Sequence, residues 1–134
     1  MNVYELEKVK ILDDKINAKI AERDRLYAIA TNVSPKPFDD MPRGGSGMVN
    51  NKMESAVVNL IAIAEEINRV IDQYVDHKRK VVEVLEKLPE KEYGVLHRYY
   101  IRYMSWDDIA HDMKYSRQQV WRFWKSGLKK IKNL

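Results

Sequence analysis

The chain of 134 residues contains no cysteine. That excludes disulfide frameworks, iron–sulfur clusters, thiolate zinc sites and cysteine nucleophiles. Glycine and proline are scarce, five and four residues, and three of each fall within one short stretch. No apolar run approaches the 18 or so residues of a membrane-crossing helix, so no membrane association is expected. The first residues, MNVYELEKVKILDD, interleave charge with apolar positions and lack the basic start and apolar block of a secretory signal. A cytoplasmic protein is the expectation. At 45% hydrophobic and 33% charged residues the chain is too apolar for disorder and too charged for a membrane protein.

Acid is missing from one end. The net charge is +4, but residues 1–89 carry 14 basic and 15 acidic side chains, and residues 90–134 carry 10 and 5. From Lys114 onward there are seven basic side chains and no acidic one. A block of one sign at one end points to a partner of opposite charge.

What is present is helical periodicity. Steps of three and four from Leu6 reach Val9, Asp13, Ile16, Ile20, Arg23, Tyr27 and Ala30, and six of these eight are apolar. This predicts a helix over roughly residues 2–31. Steps from Met53 through Val57, Leu60, Ala64, Ile67, Ile71, Tyr74, Lys78, Val81 and Leu85 to Leu88 are apolar at ten of eleven positions. This predicts a second helix over about 52–88, stopped by Pro89. Two narrow apolar stripes are most simply covered by a long antiparallel hairpin with coiled-coil-like packing, and the stripes can also recruit a second chain. Residues 31–51, rich in proline and glycine, read as the connecting loop. Its Arg43-Gly44-Gly45-Ser46-Gly47 run lacks the Lys-Ser/Thr of a phosphate-binding loop and has no preceding strand, so no nucleotide site is expected.

After Pro89 the spacing shortens. A helix over about 90–102 places Tyr93, Leu96, Tyr99, Tyr100 and Tyr103 on its apolar positions. Ser105 then reads as an N-cap, with Asp107 and Asp108 in the first turn, where the helix dipole favours acid. Trp106, Ile109, Ala110 and Met113 give a short amphipathic helix, Lys114 and Tyr115 a tight connection, and Ser116 a second N-cap. Val120, Phe123, Gly127, Leu128 and Ile131 form the buried stripe of the last helix. Short helix, tight turn and longer basic helix is the layout of a helix-turn-helix. The fold class expected is therefore all-α: a hairpin over 1–88 with its loop at 32–51, then a three-helix DNA-binding domain over 89–134.

The chemistry of the last helix suits a DNA major groove. Arg117, Gln118, Trp121 and Arg122 are the candidates for base contacts, since Arg pairs bidentately with guanine and Gln with adenine. Ser116, Lys114, Lys125, Lys129 and Lys130 are the candidates for backbone phosphates. Ala110 is the small side chain expected where the two helices approach closely. Trp124 is open to two readings, buried against the third helix, at about 90–102, or against a partner.

Residues 105–131 resemble, without a gap, region 4 of bacterial sigma factors: apolar at Trp106, Ile109, Met113, Tyr115, Val120, Phe123, Leu128 and Ile131, with Ser116-Arg117 opening the recognition helix. In that family the positions matching Arg117, Gln118, Trp121 and Arg122 approach bases, and those matching Lys125 and Lys129 lie near the backbone or RNA polymerase. Trp121 and Trp124 depart from the polar residues usual there. More broadly, MPRGGSG, a long helix and then LPEKEYGVLHRYYIRYMSWDDIA resembles small phage and prophage proteins of Gram-positive bacteria, of the RinA and ArpU late-regulator type. The resemblance implies a sequence-specific transcriptional regulator that activates phage late genes, with double-stranded DNA and RNA polymerase as partners. It does not imply an autonomous sigma factor. The alternatives are a small terminase subunit or packaging adaptor, and a module that binds RNA polymerase without reading DNA. A homodimer through the hairpin is also expected.

Enzymatic patterns are lacking. His77, His97 and His111 have no ligand spacing, and no nucleophile motif appears. The pairs Asp39-Asp40 and Asp107-Asp108 are sequence neighbours, which does not make them face one substrate. No catalytic activity, metal or cofactor is expected.

Overall fold

The computed structural model describes residues 1–31 and 46–134. Among the described residues the fold is all-helical, with no strand. The elements are α1 (Val3–Ala30), α2 (Ser46–Leu85), α3 (Glu90–Leu96) continuing into a π-helical turn (His97–Ile101), α4 (Trp106–Met113) and α5 (Arg117–Ile131). Residues 32–45 of the expected loop lie outside the described residues. Its last residues, Ser46–Asn51, belong to α2, which therefore starts earlier than its apolar periodicity indicates.

α2 also stops earlier, at Leu85 rather than Leu88. Lys87 and Leu88 donate to the carbonyls of Val84 and Leu85, three residues back. The final turn thus tightens to 3₁₀ geometry, because Pro89 bars Leu88 from the α region. The third helix likewise differs from the regular helix expected. Arg102 N–H bonds the His97 carbonyl, five residues back, at 3.1 Å, and Tyr103 then takes a left-handed φ of 57°.

The chain divides into two compact units. One joins Met1–Asp14 to Asp72–Leu134, and the other spans Lys15–Ile71. In the first unit, Leu6 and Val9 of α1 share a buried cluster with Val81 and Leu85 of α2 and with Leu88, Leu96, Tyr100, Ile101 and Ile131. The boundary expected at Pro89 is therefore not a packing boundary, because the ends of both long helices form the floor under α3 and α5. A second cluster, Val95, Ile109, Ala110 and Val120, joins α3, α4 and α5. Fully burying one such branched side chain stabilises by about 1.5–3 kcal/mol. Gly127 lets α5 approach α3: a Cβ there would lie 2.8 Å from Leu96 Cδ1 and 3.3 Å from Glu92 Cβ.

In the second unit, Lys19 of α1 pairs with Glu66 of α2 at 2.8 Å. Ile16, Ala56, Ile63, Ile67 and Val70 are buried there. Val57, Ile71 and Tyr27, all on the expected stripes, are exposed. The buried line of α2 runs through Ala56, Ile63 and Val70, one residue before Val57, Ala64 and Ile71. The apolar arc of this helix is wider than the face its own unit covers.

Candidate nucleic-acid interface

Two capped helices and one tight turn build the surface. Ser105 Oγ accepts from Asp108 N–H at 3.2 Å and starts α4. At α5 the cap is reciprocal: Ser116 Oγ accepts from Gln119 N–H at 3.2 Å, and Gln119 Oε1 accepts from Ser116 N–H at 3.0 Å. This is a full capping box. Gln119 is thereby committed to the helix start, which leaves Gln118 as the outward glutamine of the pair.

Between the helices Lys114 adopts a left-handed conformation, φ 61° and ψ 40°. Tyr115 N–H reaches the Ala110 carbonyl at 3.0 Å, and Lys114 N–H reaches His111 at 3.3 Å. These two bonds make a Schellman turn, with lysine where glycine is usual. Ala110 is buried in the α3–α4–α5 cluster, on the inner side of α4.

The aromatic residues fix the angle of α5. Trp124 Nε1 donates to the Tyr100 hydroxyl at 3.1 Å. Its ring meets Trp106 edge-on at 5.4 Å, and Trp106 stacks on Tyr99 at 4.7 Å. Trp124 is half-buried and packs against the third helix through Tyr100, as one of its two readings expects. Burial pushes the Tyr100 phenol up, against the lowering effect of the Trp124 bond.

The opposite face of α5 points outward. Arg117, Gln118, Trp121, Arg122, Lys125 and Lys129 are all exposed. Trp106, Arg117, Gln118 and Trp121 line an open cleft of about 360 Å³. Farther along, Trp121, Arg122, Lys125 and Lys129 line a second groove. The Lys125 ammonium sits 4.6 Å above the Trp121 ring, a cation–π contact. Among the described residues α5 itself carries no acid, and α4 contributes one beside the outward face: Asp107 Oδ1 lies 3.0 Å from Arg117 Nε.

Besides Arg117, paired with Asp107, two of the nine candidate residues are otherwise engaged. Ser116 spends its side chain on the cap. Lys130 turns away from the outward row and binds Glu92 Oε1 of α3 at 2.8 Å, beside a 3.2 Å bond from the Ser126 hydroxyl. Burial pushes the Glu92 carboxyl up, but Lys130, the Glu92 backbone amide and Ser126 outweigh it and hold it below the ordinary carboxylate range. The Glu92–Lys130 pair ties α3 to α5, and the Arg98–Asp112 pair, at 2.7 Å, ties the π-helical turn to α4. Neither pair has a local sequence signal, since its members lie 38 and 14 positions apart.

No helix among the described residues is long and apolar enough to cross a membrane. Neither a curated protein nor a solved structure matches the chain. A family model described as a protein of unknown function, DUF1492, matches residues 32–132 and so covers α3, α4 and α5 in full. The chain belongs to the DUF1492 family.

Proposed function

We propose that this protein is a sequence-specific DNA-binding transcriptional regulator. In this reading α4 and α5 form a helix-turn-helix, α5 enters the major groove, and an antiparallel hairpin of α1 and α2 carries them. The observation that supports it best is the composition of the outward face of α5. Six exposed side chains, all cationic, amide or aromatic, stand on one face, while Val120, Gly127 and Ile131 anchor the other. Arg117 and Gln118, in the first turn, suit base edges, because a recognition helix presents its N-terminal residues to bases. Lys125 and Lys129, farther along, suit phosphates. Trp121 suits the methyl group of thymine or a deoxyribose.

The resemblance to sigma region 4 and to the RinA and ArpU regulators supports the same reading and adds phage late-gene activation, with RNA polymerase as a second partner. Selection from random duplexes tests it. A defined motif is expected, and Arg117→Ala should cost roughly 1–3 kcal/mol on that motif and relax one base position. Lys129→Ala should weaken all sequences alike and flatten the salt dependence by about one unit. Recovery of no motif would reject base reading and favour a polymerase-binding module. A purified ring of many subunits would favour a packaging adaptor.

A further inference from the structure

The unit Lys15–Ile71 carries an unfilled second seam on α2. The helix buries Ala56, Ile63, Ile67 and Val70 within its own unit. It leaves Val57 44%, Val58 65%, Ile61 59% and Ile71 37% exposed. Val57, Ile61, Ala64, Asn68 and Ile71 follow one another at steps of four, three, four and three, and all are exposed. That is a heptad row, with Ile61 and Asn68 at the a positions and Val57, Ala64 and Ile71 at d. A helix face left to water ordinarily carries charge, and this row carries none.

The polar residue inside the row identifies its occupant. A carboxamide both donates and accepts, so Asn68 is satisfied by an identical carboxamide across a two-fold axis. An apolar partner would instead bury it unpaired, at a cost of about 1–3 kcal/mol. A single Asn at an a position, one heptad from a β-branched a residue, is the device that sets register in parallel two-stranded coiled coils. A lipid surface fits less well, since Glu65 rather than lysine flanks the row. The row is roughly 20 Å long at 1.5 Å per residue. Two copies with their flanks would bury on the order of 1,000 Å², the size a specific interface must clear.

We propose that a second copy of this chain pairs along α2, parallel and in register, with the Asn68 side chains of the two copies facing each other. This pairing does not rest on the DNA reading, and its test needs no DNA. Sedimentation equilibrium of the full chain should show a dimer at micromolar concentration. Ile61→Asp should raise the dissociation constant at least tenfold while helicity and thermal midpoint of the monomer stay unchanged, because Ile61 is already exposed. The absence of cysteine allows a second readout that leaves the fold intact. Asn68→Cys and Ile61→Cys should each give disulfide-linked dimers under mild oxidation, whereas Asn59→Cys, on the opposite side of α2, should remain monomeric. A monomeric wild type, a dimer indifferent to Ile61→Asp, or equal cross-linking at positions 59 and 68 would each overturn the proposal. A dimer that Ile61→Asp breaks but that Ile61→Cys does not cross-link is antiparallel, and overturns it as well.

Discussion

Arg117 and Asp107 meet at 3.0 Å, joining the first turn of α5 to the first turn of α4. The arrangement compensates an awkward placement. Arg117 is a cation at the positive end of a helix dipole, and its own helix supplies no acid there. Asp107 provides that acid and also satisfies the start of α4. Both side chains are more than 70% exposed, so the pair contributes little to stability, about 0–1 kcal/mol. Its consequence is orientation of the guanidinium that the proposed function assigns to a base.

The first prediction therefore concerns Asp107→Asn. The thermal midpoint should change little. Affinity for unrelated DNA should rise, because an acid beside the contact surface is gone, and discrimination for the selected motif should fall. Fluorescence anisotropy on motif and scrambled duplexes measures both. An unchanged ratio of the two affinities would mean that the pair has no part in aiming Arg117.

A second prediction separates two roles of Lys114. A non-glycine residue in the left-handed region costs roughly 1–2 kcal/mol, and glycine escapes most of that cost. Lys114→Gly should accordingly stabilise the fold by about 1 kcal/mol in denaturant unfolding. If Lys114 neutralises a phosphate, the same variant should bind all DNA more weakly and lose about one unit of salt dependence. More stability with weaker binding is the expected combination. Weaker binding without a change in salt slope would assign Lys114 to the turn alone.

The sequence made the elements legible where caps and proline act locally. Ser105, Ser116 and Pro89 place the boundaries of α3, α4 and α5, and an acid-free helix announces its own outward face. The π turn at His97–Ile101 was not legible, because nothing in HRYYI distinguishes a turn of five from a turn of four. The expected stripe of α2 is buried at Ile67, Val81, Leu85 and Leu88, but at Ala56, Ile63 and Val70 the buried line runs one residue before it, since the apolar positions there cover two adjacent seams and periodicity alone does not say which is filled. Lys130 looked like its neighbours Lys125 and Lys129. Only the packing of α5 on α3, permitted by Gly127, turns it toward Glu92.

Stability should have a two-limbed dependence on pH. Burial, then Arg102 and Arg98, push His97 below its ordinary value of 6.5. The unfolded chain then takes up this proton before the folded one, so the contribution is full above about pH 6.5 and falls as the pH drops below it. Glu92 acts lower on the scale. Its carboxyl is held below the ordinary 4.5, so its contribution is present above that value and is lost as the pH falls through the folded pKa. Thermal midpoints measured from pH 7.5 to 3 should show both declines. His97→Gln should remove the upper one, and Glu92→Gln should reduce the lower, to which Asp112, held down by Arg98, and Glu66, held down by Lys19, also contribute. An upper limb that survives His97→Gln would have to come from another group.

The last prediction concerns where the folding unit ends. A fragment of residues 88–134 keeps the α3–α4–α5 cluster but loses Leu6, Val9, Val81 and Leu85, all fully buried in the other cluster, which they share with Leu96, Tyr100, Ile101 and Ile131. Leu96, Tyr100, Ile101 and Ile131 would then face water on one side. At under 50 residues a single core is already marginal. The fragment should therefore show partial helicity by circular dichroism and no cooperative melting. Joining residues 1–14 to 72–134 through a short Gly/Ser linker restores the missing side chains, and that shortened chain should melt cooperatively. It lacks Val57, Ile61 and Asn68, so it should also sediment as a monomer where the full chain is a dimer. Should the 88–134 fragment melt cooperatively by itself, the cluster around Leu96 and Ile131 would be dispensable and Pro89 would mark a true domain boundary. If instead the fragment fails and the shortened chain folds, the ends of α1 and α2 belong to the same folding unit as α3, α4 and α5.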